Sequence, residues 1–524
     1  MLQTALFAAA CCLTVAAIEW PNTPTIRLKV TDRLLQEAEK LVNNKTLVDQ
    51  LLVAVFPEHK DFRVTKANLS AEFKFESPSN FRLIVNVSEI SVVNKETFDD
   101  WDDSKRTGSV YYEASDLEVD LSISLNQSSK TNALVPDLRA CRVQVASVSA
   151  RLGDDFGEGT HEYIKEVAEG NAIMFSTMAG MACYYIGVPL RKVQRTPYRP
   201  IFYTGFPRQR PVAINMGVTE DASATDEYLA VNMLGMAFRR PFQRDESARL
   251  FSPSPIQDAG NNSRMIYAFL SDEFLTHLGR VAHAADVLHL EIRNDGFVAG
   301  IHAKLKGVVN TAIQELDLNA VVPDHATFTF ATAEPPELRF LPDSSHPEET
   351  IVLTGNVNVA FPVLADGQHL STVSVLLDVK LVLAPRLEYE NDDRYPRLRS
   401  TGSLVKADIL SVSNLDGAHV TDEFRSRLSD TLRTSLDDTL RRMLHMGVGV
   451  VNNHINHFET SLEARLERMR YHRNDIDGLD AIGTSLTTPN AAIHFSPGTA
   501  VLCFDLVVDK HGLIEVFHEL NEED

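Results

Sequence analysis

Apolar residues between Ile26 and Leu41 fall at Leu28, Val30, Leu34, Leu35, Ala38 and Leu41, with charged residues on the opposite face. This is close to helical spacing and predicts one amphipathic helix over 26–41. Two later stretches alternate instead, Phe81-Arg82-Leu83-Ile84-Val85-Asn86-Val87 and Leu117-Glu118-Val119-Asp120-Leu121-Ser122-Ile123. A period of two predicts antiparallel strands with one buried face. From His161 to Val188 no proline interrupts the chain before Pro189, and a long helix is expected there.

The second half repeats that order. Phe274, Leu275, Leu278, Val281 and Ala282 share one helical face, with Ser271 as the predicted N-cap. Strands are predicted at Thr327-Phe328-Thr329-Phe330 and Val357-Asn358-Val359-Ala360-Phe361, then an amphipathic helix through Val420, Phe424, Leu428, Leu432, Leu436, Leu440 and Leu444. Alternation returns at Ala492 to Phe495 and at Val501 to Val508. The halves share this pattern without evident identity. Between them runs a Pro/Ser/Asn-rich stretch, so the reading is two domains, 18–237 and 263–508, a linker over 238–262 and an acidic amphipathic tail over 509–524.

Composition narrows the function. The chain has 524 residues, 44% hydrophobic and 23% charged, the balance of a globular protein. Its net charge of −22 would repel nucleic-acid phosphates, so a nucleic-acid partner is not expected. Residues 1–17 carry no charge, include Leu6 to Leu13, and end with Val15 and Ala17 three and one before Ile18. That is a signal-peptide pattern without a basic start, and it implies secretion; as a membrane anchor the apolar run is short. Sequons at Asn44, Asn68, Asn86, Asn126 and Asn261 are candidate glycosylation sites, all in the first half.

Residues 172–190 carry no charge, which fits a transmembrane span, a buried helix or a helix lining an apolar cavity; the rest of the chain favours the last two. Beyond the leader, the cysteines are Cys141, Cys183 and Cys503. A bridge between the first two would staple a strand to the long helix, the alternative being two free thiols, and Cys503 reads as a buried small hydrophobe. His454 and His457 stand three apart but lack a recognisable third ligand, so no metal site is assigned. No nucleophile elbow, phosphate loop or paired-histidine zinc motif occurs, and neither an enzyme activity nor a cofactor is proposed. Arg191, Lys192, Arg195, Arg199, Arg208 and Arg210 form an acid-free basic stretch, read as solvated linker or as contact with anionic head groups.

Ser263 to Phe274, continuing to Ala285-Asp286-Val287-Leu288, resembles the start of the second domain in the family of bactericidal/permeability-increasing protein, lipopolysaccharide-binding protein, phospholipid transfer protein and cholesteryl ester transfer protein. Ala213 to Val218 resembles the end of that family's first domain, and Cys141 and Cys183 match its single disulfide in position and spacing. The resemblance implies an α+β fold: an elongated boomerang of two barrel-like domains, each a twisted antiparallel sheet wrapped on a long helix, meeting at a central sheet. It also implies apolar pockets for phospholipid or neutral-lipid acyl chains, with transient contact at a membrane or lipoprotein surface. Pocket-lining candidates are Leu34, Ala38, Leu41, Ile164, Met174 and Met178, then Leu275, Leu278, Leu428, Leu432 and Leu436. One departure matters: where endotoxin-binding members carry basic hairpin tips, Phe98 to Arg106 here holds Asp99, Asp100, Asp102 and Asp103 around Trp101. These acids would repel lipid A phosphates. Lipid carriage is therefore the expected function, with lipopolysaccharide recognition as the alternative. The tail Gly512 to Asp524 loosely resembles a pocket-plugging helix of the same family.

Overall fold

The computed structural model describes residues 23–46, 62–99, 105–128, 132–156, 162, 165–173, 183, 201–204, 212–239, 251, 253–256, 258, 262–295, 299–315, 320–341, 350–365, 369–389, 396–413, 426, 429, 433, 437 and 486–510. In chain order, β1 (Ile26–Thr31) runs straight into helix α1 (Asp32–Val42). A meander follows: β2 (Phe62–Glu76), β3 (Asn80–Asp99), β4 (Lys105–Gln127), β5 (Leu134–Gln144) and β6 (Ser147–Leu152). Short strands β7 (Ile201–Thr204), β8 (Val212–Asn215), β9 (Ser223–Ala224), β10 (Tyr228–Met233) and β11 (Met236–Arg239) end the first half. The second half opens with β12 (Ile266–Ser271) and α2 (Asp272–Ala284), then β13 (His289–Ile292), α3 (Ala299–Glu315), β14 (Ala320–Val321), β15 (Phe328–Thr332) and β16 (Glu337–Phe340). Long strands β17 (Ile351–Ala365), β18 (His369–Glu388) and β19 (Arg397–Ser413) follow. The last strands are β20 (Leu486–Thr487), β21 (Ala492–Ser496), β22 (Thr499–Phe504) and β23 (Val507–Val508). The fold is sheet-dominated α+β, and no sheet closes on itself among the described residues.

The helix predicted over 26–41 is a strand for its first six residues. Ile26, Leu28 and Val30 alternate with Arg27, Lys29 and Thr31, and helix begins only at Asp32. A period of two and a period of 3.6 coincide over so short a run, and pairing with β10 and β12 decides it. The second junction matches the prediction: Ser271 Oγ accepts from the Glu273 N–H at 3.2 Å at the start of α2.

A central antiparallel sheet, ordered β21-β22-β12-β1-β10-β9, takes three strands from each half. Its register carries a pseudo-twofold axis. Ile26 to Thr31 correspond to Ile266 to Ser271, an offset of 240 (266 less 26), and each strand leads into an Asp-headed helix. The β1–β12 pairing is unchanged by that exchange, with Leu28 opposite Ala268 on the axis. Partner strands obey the same relation: Tyr228 to Met233 correspond to Thr499 to Phe504, an offset of 271 (499 less 228). Their outer hairpins match too, Leu229 facing Ala224 as Ala500 faces Phe495. The repeat seen as a hydrophobic pattern is thus a repeat of register.

Each half adds its own sheet, β2-β3-β4-β5 in the first and β13-β15-β17-β18-β19 in the second. The first is bent where its strands change which residues face inward. On β3, Val85 and Val87 face in before Ser88 is bulged past the β2 pairing, and Val92 faces in after it. On β4 the change comes at Asp116, whose φ is +51°. Outer strands receive polar or covalent caps from residues in or directly ending a helix. Glu39 and Asn43 accept the N–H groups of Phe73 and Ala71 on β2, and Asp437 accepts that of Leu404 on β19. Cys141 of β5 is bonded to Cys183, which closes a separation of 42 residues and constrains the unfolded chain by about 4 kcal/mol. Edge strands left bare would recruit other strands.

Gly235 turns the chain from β10 into β11 at φ +59°, with Thr25 Oγ1 lying where a Cβ would stand. Gly235→Ala is expected to cost about 2 kcal/mol, through left-handed backbone strain and the displaced hydroxyl. Urea unfolding tests this, and a midpoint equal to the parent's contradicts it.

Candidate functional site

Strand alternation gives the central sheet two unlike faces. One carries Lys29, Thr31, Ala230, Tyr267, Phe269, Ser271 and Cys503, all buried. Linker residues cover it: Ile256 packs on Tyr267, Phe269 and Cys503, and Phe251 is buried with Leu234 and Met236. Burial raises the Cys503 thiol pKa, which keeps it protonated and inert, as expected for a small hydrophobe.

The opposite face is apolar from edge to edge. It presents Ile26, Leu28 and Val30 of β1, Leu229, Val231 and Met233 of β10, and Ile266, Ala268 and Leu270 of β12. Leu502 and Phe504 of β22 and Ile493 and Phe495 of β21 extend it. Every one of these residues is only half-buried, with the smaller Ala224 and Ala500 buried among them, whereas the middle of the linker face, Lys29, Ala230, Tyr267, Phe269 and Cys503, is buried. Sheets normally bury the apolar face and wet the polar one. Here the more continuously apolar face is the less buried of the two, and it is the candidate site.

Helix α1 meets this face near one end. Its Leu35 packs with Val30, Leu229, Phe73, Phe75, Phe81 and Ala224, while Leu34, Ala38 and Leu41 stay half-buried. Helix α2 buries Phe274, Thr276, His277, Val281 and Ala282. Leu275 is half-buried, and Leu278 packs against Val212, Ala237, Val281 and Ala285, where strands of the first half meet the second. Asn68 and Asn86 are exposed, and Asn44 and Asn126 are half-buried. Ile164, Met174, Met178, Leu428, Leu432, Leu436, Asn261, His454, His457, the basic residues from Arg191 to Arg210 and the tail from Gly512 lie outside the described residues. So does most of 172–190; among the described residues no helix is long and apolar enough to cross a membrane.

Three features went unread in the sequence. Helix α3 was not anticipated; its Leu305, Val309 and Ile313 pack into the core of the second half. The apolar sheet face was legible only as paired alternations, Ile26/Leu28/Val30 and Ile266/Ala268/Leu270, each ending at an Asp-headed helix. The third feature is a buried cation. Lys29 is 1% exposed, with its Nζ 3.1 and 3.0 Å from the two carboxylate oxygens of Asp258 in the linker. The same Nζ lies 4.5 Å from the Tyr228 ring centroid and 5.8 Å from that of Tyr267. A charge this deep requires its partner, so the pair holds the linker across this sheet face.

The joint between the halves has a titratable group of its own. His277 is fully buried, its Nε2–H donating to the Ala237 carbonyl at 2.9 Å and its ring edge-on to Phe251 at 4.7 Å. Burial pushes its pKa down to about 4, so it is neutral.

Asp258→Asn is expected to destabilise the protein by about 3 kcal/mol, because the Lys29 charge stays buried without its counter-charge. Adding Lys29→Met should restore most of the loss, and a chemical-denaturation double-mutant cycle with no coupling would contradict the pairing. For His277 the unfolded chain takes up a proton near pH 6.5 while the folded one resists until about pH 4. Stability therefore falls as pH drops through that window, by roughly 3 kcal/mol in all. His277→Gln should flatten that part of the profile; identical slopes for parent and variant would refute the assignment.

No family model and no curated protein matches the chain. Among solved structures it is similar to the crystal structure of lipopolysaccharide binding protein, with a TM-score of 0.40 at 12% identity, covering 93% of this chain and 99% of that one. It is also similar to the structure of P47 from Clostridium botulinum A2, with a TM-score of 0.21 at 10% identity, covering 79% of this chain and 87% of that one.

Proposed function

We propose that the chain is a secreted carrier of phospholipid or neutral lipid, whose acyl chains lie against the apolar face of the central sheet. The observation that carries this reading is one-sided burial: Leu28, Val231, Ala268 and Leu502 remain half-buried while Lys29 on the other face is covered. Leaving such a surface against water is costly, and an acyl chain recovers about 0.8 kcal/mol for each methylene it buries. The carrier makes and breaks no bond, and no catalytic residue is assigned. Transient contact with a membrane or lipoprotein surface would load and unload it. Because the register repeats about Leu28 and Ala268, the same face serves both halves, and each offers a floor of similar geometry.

Recognition of lipopolysaccharide is the second reading, and the β3–β4 hairpin weighs against it. The paired strands run out to Asp99 opposite Lys105, so the acidic residues Asp100, Asp102 and Asp103 fall in the connection between them. Such a tip repels phosphorylated sugars.

Native mass spectrometry of the protein from culture medium, followed by organic extraction, should reveal bound lipid. Ala268→Trp places a large ring on the pseudo-twofold axis of the face. If it displaces two methylenes, about 1.6 kcal/mol is lost, on the order of tenfold in affinity. Lipid-free parent protein, or unchanged loading in a folded Ala268→Trp variant, would sink the proposal.

A further inference from the structure

Two of the five sequons meet on one outer surface. Asn68-Leu69-Ser70 lies on β2 and Asn86-Val87-Ser88 on β3, and the register sets Leu69 opposite Val87 and Ser70 opposite Asn86. Ser88 is the residue bulged out of that pairing, and its hydroxyl donates to the Asn68 carbonyl at 3.3 Å. Asn68, Ser70, Asn86 and Ser88 are all exposed, while Val87 is buried and Leu69 half-buried. With Asp116 and Glu118 of β4 they line a cleft of about 270 Å³, at the level where the sheet bends.

We infer that Asn68 and Asn86 carry a pair of N-linked glycans rooted in this cleft. The inference rests on the secreted reading, since only a luminal chain meets the transferring enzyme. In an extended strand, residues two apart share a face, so each asparagine amide and its serine hydroxyl are presented together on the solvent side. Transfer forms a bond from the asparagine Nδ2 to C1 of the sugar. It breaks the bond from C1 to a lipid-linked pyrophosphate donor, which departs as the amide proton passes to the enzyme. A glycan on either residue projects into solvent without disturbing the fold. Asn126 differs: its Nδ2 donates to the hydroxyl of Ser124 at 3.0 Å, and Ser124 is buried.

The glycans also have a physical task. β2 is the outer strand of its sheet, and α1 caps its N–H groups at Ala71 and Phe73. Asn68 lies nearer the start of the strand than those two caps, and a bulky hydrated sugar there blocks pairing with a strand of another molecule.

The test is full-length protein expressed in a eukaryotic secretory cell, recovered from medium, and digested after enzymatic deglycosylation in heavy-oxygen water. Both the Asn68 and Asn86 peptides should carry the heavy aspartate label, and Ser70→Ala and Ser88→Ala should each remove one glycan step in gel mobility. Ser70→Thr, which keeps the sequon, should keep its glycan. Secreted protein with Asn68 or Asn86 bare overturns the inference and leaves the carrier reading standing. Protein retained in the cytosol overturns both. The glycan-free double variant should self-associate more than the parent at equal concentration in sedimentation, and equal association would overturn the edge-blocking role.

Discussion

The structure depends on the pairing of β1 with β12, two strands separated by more than 200 residues that meet at Leu28 and Ala268. This pairing joins the halves, generates the pseudo-twofold register and fixes which residues fall on each side of the central sheet. Parity does the rest. Odd-numbered positions of β1 and β12 turn to the linker, and even-numbered ones to the open side. A slip of one residue would exchange the faces and bring the Lys29 charge to the apolar side. The Lys29–Asp258 pair thus holds both the linker and the register.

The long strands are built on a second constraint, that their outer edges must not stay bare. Three edges receive caps of different chemistry: a carboxylate from α1 and the amide of Asn43 that ends it, a disulfide to Cys183, and Asp437 with Ser429, whose hydroxyl donates to the Ala407 carbonyl. In each case the capping residue is helical or directly ends a helix, so docking of helix to sheet and protection of the edge are one event. That arrangement protects part of each open edge.

Much of this was legible in the sequence wherever a signal was local. The alternations at Phe81 to Val87 and Leu117 to Ile123 gave both strands, because the change of inward parity at Ser88 and Asp116 falls outside either run. Ser271 as an N-cap is a two-residue signal and needed no tertiary information. The segment from Ile26 was misread because a six-residue strand fused to a helix mimics a longer helix, and only long-range pairing separates them. Burial of Lys29 could not be read, since its partner Asp258 lies 229 residues away in a stretch whose composition suggests a solvated linker. Leu278 shows the same limit within the proposed pocket set: its helical face is apolar, but periodicity cannot tell a neighbouring strand from a lipid tail.

The central claim is that the half-buried face around Leu28, Val231 and Ala268 is where hydrocarbon rests. The most direct measurement is photo-crosslinking with a phospholipid carrying a diazirine in its acyl chain, followed by peptide mapping. Label concentrated on the even-numbered positions of β1 and β12 and on Leu229, Val231 and Met233 is the predicted result. Label on the linker-covered face, or spread over the exterior with none on these strands, would contradict the account.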